Sequence, residues 1–599
     1  MSRSGRSAPE QHTQRVVGLI SKEWPGLYLC HELALARVGL SDVVIEDEPL
    51  DAVAWNIKVL GRAIHAYGMS PALQALVGFR YGVAHWWQRR RNRRSAPILA
   101  DIKRSGVRVH AVTKFLSDEC EALLRKLCPD TIVICGTQIL PGSLLRVAAY
   151  CTVNVHTSML PHYRGSGSLF WPLFFKDPDA IGYTIHQAVP QVDAGPYFFQ
   201  ERVACESRDT PQTLLKKVFT RAAPKLIEIL RMWPEPFGRL TPYARPVSFS
   251  WPPPESAVRG YLYGPTLRMK VTAPVRKLLY AARPLTGVQG DGIAILYLHR
   301  ALSSGTSPGD WRRVLGHPDV NEIREKIRYV RQYGRVISLS DALKMLESNR
   351  PIRGRYAVLT VDDGYEDFRT NLLPLLEELQ TPAAFFVCSG AIETGSVWHQ
   401  RLYDLIDGIK QERLDVPFAD RRIWFGDVRH RVLTIERVLA RHLKRLKHTE
   451  ARRRLDALLQ ANPCDPAPRS VDRFCSIEDL LAVKKSPLVE MHLHSHFHHP
   501  FEQLSAEEVT EDLKRCTIFF RDALGVQSSA LAYPNGECRE DLVPTLNEAG
   551  VRFALTTRFG VERGGLPHPY FLRRIGLDNC PMDVWHLRMR RAFGPPALI

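Results

Sequence analysis

Long apolar runs are missing from this chain of 599 residues. The longest, DTIVICGTQIL and TPAAFFVCSGAI, are short and interrupted, whereas a bilayer-spanning helix needs about 20 consecutive apolar residues. The opening MSRSGRSAPEQHTQ is polar and lacks the apolar centre of a signal peptide, so the expected location is the cytoplasm. Paired cysteines are missing too. The 12 cysteines are scattered with no CxxC pair, which reads as reduced, buried thiols and excludes a disulfide frame. There is no internal repeat and no collagen-like or broadly disordered composition. Acidic residues are the scarcer charge: 63 Asp and Glu against 81 Lys and Arg leave a formal charge of +18. That balance favours anionic partners, namely nucleic acid, nucleotide-linked substrates, folate polyglutamates or an acidic membrane surface. Two dense basic runs, WWQRRRNRR (86–94) and RHLKRLKH (441–448), read as solvated helix faces.

What remains is ordinary globular material, 45% hydrophobic and 24% charged, and the length calls for two to four domains at about 150 residues each. The first part alternates β-branched runs, RVVGLIS (15–21), DTIVICG (130–136) and CTVNVHTS (151–158), with helical stretches such as SDECEALLRKLCPD, for which Ser117 is the cap. This predicts a parallel sheet covered by helices, with functional loops beyond the carboxyl ends of its strands. Proline and aromatics crowd residues 232–256, where regular helix is hard to sustain. A second βα series comes next: GIAILYLHR (292–300), RYAVLTVDDGY (355–365), TPAAFFVCSG (381–390), LVEMHLHSH and SALAYPNG (529–536). The expected layout is an α/β domain over 12–262, a linker over 263–290 and a distorted (β/α) barrel over 291–592 with a helical insertion at about 410–475. Within the insertion, Val432, Ile435, Leu439, Leu443 and Leu446 form one helical face, either a packing face or a membrane-surface contact.

Asn154 and His156 stand at i and i+2 on a strand, so both side chains share a face. Asp193 comes after GYTIHQ. An amide, an imidazole and a carboxylate together suit acyl transfer: the amide stabilises an oxyanion, the imidazole moves protons, and the carboxylate orients it. Singly, each residue also fits a turn cap, a core ring or an Asx turn. In the order NVHTSMLPHYRGSGSLFW and then VDAGP, the segment resembles the formyltransferases that use 10-formyltetrahydrofolate, a group acting on methionyl-tRNA, glycinamide ribonucleotide and sugar amines. The matching elements are Asn154-x-His156, SMLPHYRG (158–165), with Met159 where relatives have Leu, and Asp193 before Gly195 and Pro196. The resemblance covers roughly residues 14–260. It implies a Rossmann-like domain, 10-formyltetrahydrofolate bound near GTQILPG (Gly136, Gln138, Ile139, Leu140, Pro141), and catalysis by Asn154, His156 and Asp193.

LTVDDGY places Asp362 and Asp363 at the end of an apolar strand, and adjacent ionised carboxylates call for a cation or for separate roles. The tract EMHLHSHFHHP (490–500) holds five histidines. Spacing alone leaves two pairs open, His492 with His496 and His494 with His498. With AYPNG downstream, the order resembles the NodB-like polysaccharide deacetylases over roughly 292–590. Because Ser495 directly succeeds His494, that family's pattern selects His494 and His498. The resemblance implies Asp362 as general base, a divalent metal, expected to be zinc, on Asp363, His494 and His498, and a backbone N–H of Tyr533 for the oxyanion. The family's late Leu-x-His acid has no match; YFLRRIGLDN (570–579) stands in its place, with His299, His568 and His586 as candidates.

Joined, the two halves imply a bifunctional amino-sugar enzyme of envelope or surface-glycan biosynthesis. One half would formylate a sugar amine and the other would deacetylate or deformylate a sugar amide. The expected partner is a nucleotide-linked or lipid-linked amino sugar, with peripheral contact to the inner membrane surface and no stable nucleic-acid partner. The competing reading is a formyltransferase directed at tRNA or another nucleic acid, carrying a degenerate, scaffold-like second domain.

Overall fold

The structure is a computed structural model. It describes residues 14–46, 95–206, 209–233, 240–244, 249–252, 290–348, 350–464, 472–565 and 568–594, with isolated positions 258, 277, 280, 281 and 288. The basic run 86–94 and almost all of the expected linker lie outside the described residues. Contacts divide the chain into two units at Pro254, with Phe418–Trp424 grouped with the first.

The first unit is built on a seven-stranded sheet: β1 (Val16–Ile20), β2 (Leu40–Glu46), β3 (Arg108–Val112), β4 (Thr131–Cys135), β5 (Cys151–His156), β6 (Gly182–Gln187) and β7 (Tyr197–Arg202), in the order β3-β2-β1-β4-β5-β6-β7. β1 to β5 run parallel, and β6 and β7 are antiparallel. The apolar runs VVGLI and TIVIC are buried on both faces, as strands covered by helices on each side must be. Their alternate residues feed two cores. Val16, Ile20 and Val133 pack with helices α1 (Trp24–Leu35) and α3 (Pro211–Arg231). Val17, Leu19, Ile132 and Ile134 pack with α2 (Asp118–Leu127). Ser117 caps α2, its side chain accepting from the Cys120 N–H. Gly18 lets α1 approach β1 closely, since a Cβ there would fall 2.6 Å from Cys30 Sγ. This is a Rossmann-like α/β fold.

The second unit is a closed barrel of seven parallel strands: β8 (Gly292–Leu298), β10 (Arg355–Val361), β11 (Ala383–Val387), β12 (Val489–Leu493), β13 (Ala530–Ala532), β14 (Phe553–Phe559) and β15 (Leu572–Gly576). A short strand β9 (Arg335–Val336) is added beside β10. The ring closes because β10 pairs with both β8 and β11. Its amino-terminal half is filled by Ile293, Ile295, Val358, Phe386, Leu555 and Leu572, plugged by Leu339 and Leu346. The interior turns polar only near the carboxyl ends of the strands, where active sites of such barrels sit. In the insertion, Val432, Ile435, Leu439 and Leu443 are buried. Leu446, the fifth residue of that face, is half-buried, so most of the face is spent on packing inside the unit. Among the described residues no helix is long and apolar enough to cross a membrane.

Candidate active sites

In the first unit, β5 delivers Asn154 and His156 to one side of the sheet, while Val153 and Val155 enter the core on the other. Asp193 arrives on the loop before β7 with φ 47°. The three meet. Asn154 Nδ2 donates to Asp193 Oδ1 at 3.3 Å, and His156 Nδ1 lies 3.4 Å from Asp193 Oδ2. The Gly165 N–H donates to the same Oδ2 at 2.8 Å, and the Arg164 Nε–H donates to Val192 O at 2.7 Å, tying the 158–165 loop to the aspartate loop. His186, which sequence reasoning passed over, completes the cluster: Asn154 Nδ2 donates to its Nε2 at 3.1 Å, and Asp193 Oδ1 lies 3.6 Å away. Its only signal was its place opposite Asn154 in the β5–β6 register.

Burial alone would push the Asp193 carboxyl up, but His156, His186 and the Gly165 N–H outweigh it and hold the group well below the usual carboxylate range. Burial pushes His156 down, with Asp193 opposing, so its ring is neutral near pH 7. The His156 Nε2–H donates to Tyr163 O at 2.8 Å. The expected folate loop directly succeeds β4: Gly136 has φ 67°, the Gln138 amide reaches Glu46 Oε1 at 3.4 Å, Leu140 is buried, and Ile139 is exposed. Pro141 precedes the short helix that starts at Gly142. The β4 and β5 ends adjoin in a parallel pair, so this loop and Asn154 emerge at the same edge.

In the barrel, Asp363 Oδ1 lies 3.1 Å from both His494 Nε2 and His498 Nε2, and the two nitrogens are 3.2 Å apart. All three residues are buried. The His494 Nδ1–H donates to Ala532 O at 2.8 Å, which turns the Nε2 lone pair toward Asp363. The Nε2 lone pair of His494 and the Asp363 oxygen, aimed at one point, repel unless a cation lies between them. The spacing of the three donor atoms also approximates the edges of a tetrahedron with metal–ligand bonds of about 2.0–2.2 Å. The donor set therefore fits a divalent metal. Asp363, Ser495 and His498 all carry positive φ, and Asp512 holds the loop by accepting from the His496 and Phe497 N–H groups at 2.8 and 2.9 Å. Asp512→Ala is expected to weaken metal binding about 10- to 100-fold, as loss of an outer support for ligands does; a metal titration checks it.

The other histidines of the tract point elsewhere. His492 bonds Ser528 Oγ at 2.8 Å, His496 bonds Ser389 Oγ at 2.9 Å, and the His499 ring lies 5.4 Å from that of His448.

Asp362 is clamped by Arg574, which sequence reasoning missed, through two bonds of 2.9 Å. Both residues are 1% exposed. Burial would raise the Asp362 pKa, but Arg574 and His494 overcome it and keep the carboxylate ionised. Arg574→Met leaves that charge buried without a partner and should cost about 3–5 kcal/mol of stability, read as a lower midpoint in denaturant.

A cavity of about 560 Å³ opens over Asp362, Asp363 and His494. His299 lines it. His586 does not reach it: it is buried, and the Tyr329 hydroxyl donates to its Nδ1 at 2.6 Å. His568 is exposed beside Phe571. The Tyr533 expectation needs correction, because its N–H donates to Leu555 O at 3.1 Å within the sheet and is not free for an oxyanion. Its neighbour Asn535, at φ 60°, lines the cavity with a buried Nδ2 that has no partner among the described residues.

Residues 83–230 match the formyl transferase family, and 349–415 with 470–554 match the polysaccharide deacetylase family. A methionyl-tRNA formyltransferase of Thermosynechococcus vestitus is 29% identical over 160 residues, 26% of this chain and 48% of that protein. A GDP-perosamine N-formyltransferase of Brucella melitensis is 32% identical over 103 residues, 17% of this chain and 39% of that protein. The chain thus spans less than half the length of these two curated relatives. Among solved structures, IcaB from Ammonifex degensii covers 50% of this chain and 97% of its own at 19% identity, with a TM-score of 0.33. The protein is a fusion of a formyltransferase-like domain with a metal-site-bearing, polysaccharide-deacetylase-like domain.

Proposed function

We propose that the protein acts on amino sugars at two separate centres, transferring a formyl group to a sugar amine in the first domain and hydrolysing a sugar amide in the second, in the making of envelope or surface glycans. The observation that carries the reading is the second centre: an ionised Asp362 beside three converging donors, Asp363, His494 and His498, under one cavity. Asp363, His494 and His498 would hold a divalent metal of the zinc type, which would supply Lewis-acid polarisation of a carbonyl and lower the pKa of water. Asp362 takes the proton from the attacking water, since Arg574 keeps it charged and oriented. The Asn535 amide donates toward the carbonyl oxygen as it gains charge, and His299 returns a proton to the leaving amine.

In the first domain an Asn154 N–H, given up by His186 Nε2 or Asp193 Oδ1 as the substrate enters, stabilises the oxygen of the formyl group as the amine adds. At Nδ1, its Nε2–H being on Tyr163 O, His156 accepts the proton that the amine loses; Asp193 beside it stabilises the imidazolium, and the ring then passes that proton to the departing nitrogen of the donor. The C–N bond to the donor, 10-formyltetrahydrofolate, then breaks, and the amide on the sugar is complete. The amine class of the substrate is supported by the relative whose name gives a perosamine nucleotide as acceptor, while the methionyl-tRNA relative supports a tRNA acceptor.

The test is release of acetate or formate from N-acylated amino sugars by the zinc-loaded protein, beside Asp362→Asn. Release is expected from the wild type and should fall at least 100-fold in the variant. Equal release from both, or none from either, would overturn the reading.

A further inference from the structure

The polysaccharide-deacetylase match breaks off at 415 and resumes at 470, so the intervening segment lies outside it. Part of it is the basic run RHLKRLKH, whose residues read as solvated from sequence. Lys444 is not simply solvated. It is half-buried and, with Glu436 and Arg437, lines the cavity over the metal ligands. It also lines a second cavity of about 330 Å³, and among the described residues it alone borders both. The second cavity carries Arg401, His448 and Arg452 on mixed walls, with an apolar part formed by Val397, Leu455 and Phe497.

Positive charge exceeds negative around Lys444. Glu436 lies 3.7 Å from its ammonium and accepts from the Tyr403 hydroxyl at 2.9 Å. Asp456 is shared by two guanidinium groups, at 3.0 Å from Arg401 and 3.9 Å from Arg452, and His448 lies 3.2 Å from Glu508. A wall built this way suits a compact anion, whereas a neutral glycan polymer has no use for it.

We propose that Lys444, flanked by Arg437 and Arg452, binds the phosphoryl group of a phosphate-linked amino sugar whose amide lies over Asp363, His494 and His498. This rests on the amide-hydrolase reading and narrows its substrate from glycans in general to sugar phosphoesters. The apolar part of the walls beyond Lys444 takes the carrier group esterified to the phosphate. Two carriers share this chemistry, a nucleoside diphosphate and an isoprenoid phosphate.

Calorimetry on the full-length, zinc-loaded protein tests the site without requiring turnover. The probes are N-acetylglucosamine, its 1-phosphate, its nucleoside-diphosphate ester and a short isoprenyl-phosphate ester. The phosphorylated probes are expected to bind at least 10-fold more tightly than the free sugar. Lys444→Met should remove that advantage, Lys444→Arg should retain most of it, and Arg437→Met should reduce it. Whichever ester binds better identifies the carrier. Equal affinity for the free sugar and its phosphate, or a phosphate preference that survives Lys444→Met, overturns the proposal. Binding that depends on Lys444 without any amide hydrolysis would instead count against the hydrolase reading alone.

Discussion

His494→Ala is expected to abolish amide hydrolysis and to strip the barrel of its metal, while formyl transfer continues at the wild-type rate. The imidazole supplies one of three donors around a single point, and its Nδ1–H is fixed by Ala532 O at 2.8 Å. His492 and His496 are occupied with Ser528 and Ser389 and do not face that point. Losing one of three protein ligands should lower metal affinity by several orders of magnitude and hydrolysis by at least 1000-fold. Metal content after dialysis, measured beside both activities, checks this. Retention of stoichiometric metal by His494→Ala would show that the ligands lie elsewhere in the chain.

Asp193→Ala is expected to do the converse, cutting formyl transfer by about 100- to 10,000-fold with hydrolysis unchanged. The carboxylate holds the Asn154 amide, faces the His156 ring and receives the Gly165 N–H, so its removal frees all three at once. The pH profile carries a second expectation. Because burial lowers the His156 pKa, the ring stays neutral below the ordinary imidazole value of about 6.5. The acid limb of formyl transfer should therefore lie below that value, with the rate flat from there to neutrality. An acid limb centred at or above 6.5 would mean that a different, more exposed group is the base.

The parts of both sites that obey chain periodicity were legible in the sequence. Asn154 and His156 lie two apart on a strand and must share a face, and Asp362 and Asp363 end an apolar strand whose carboxyl end opens the barrel. The choice of His494 and His498 over His492 and His496 was not legible from spacing, since both pairs are four apart. It came from the family resemblance, whose pattern puts Ser495 directly after the first ligand; in the structure the Ser495 side chain accepts from the His498 N–H at 2.9 Å and sets the loop.

Arg574 was missed because one arginine beside another in LRRIG reads as surface charge, while strand alternation sends Arg573 outward and Arg574 into the barrel at the level of Asp362. Lys444 was missed for a related reason: a basic run read as one solvated face hides the member that turns inward. Tyr533 was misjudged because the sequence does not reveal which backbone N–H the sheet consumes; the bond to Leu555 does. Tertiary pairings of this kind join residues far apart in the chain, and no local pattern announces them.

That two independent centres act on amino sugars is tested most directly by incubating the protein with 10-formyltetrahydrofolate, a panel of nucleotide-linked amino and N-acetylamino sugars, and an initiator tRNA, with products read by mass. The predicted result is one added formyl group on a sugar amine for wild type and His494→Ala, none for Asp193→Ala, and an unmodified tRNA. Formylation of the tRNA with every sugar amine left untouched would contradict it.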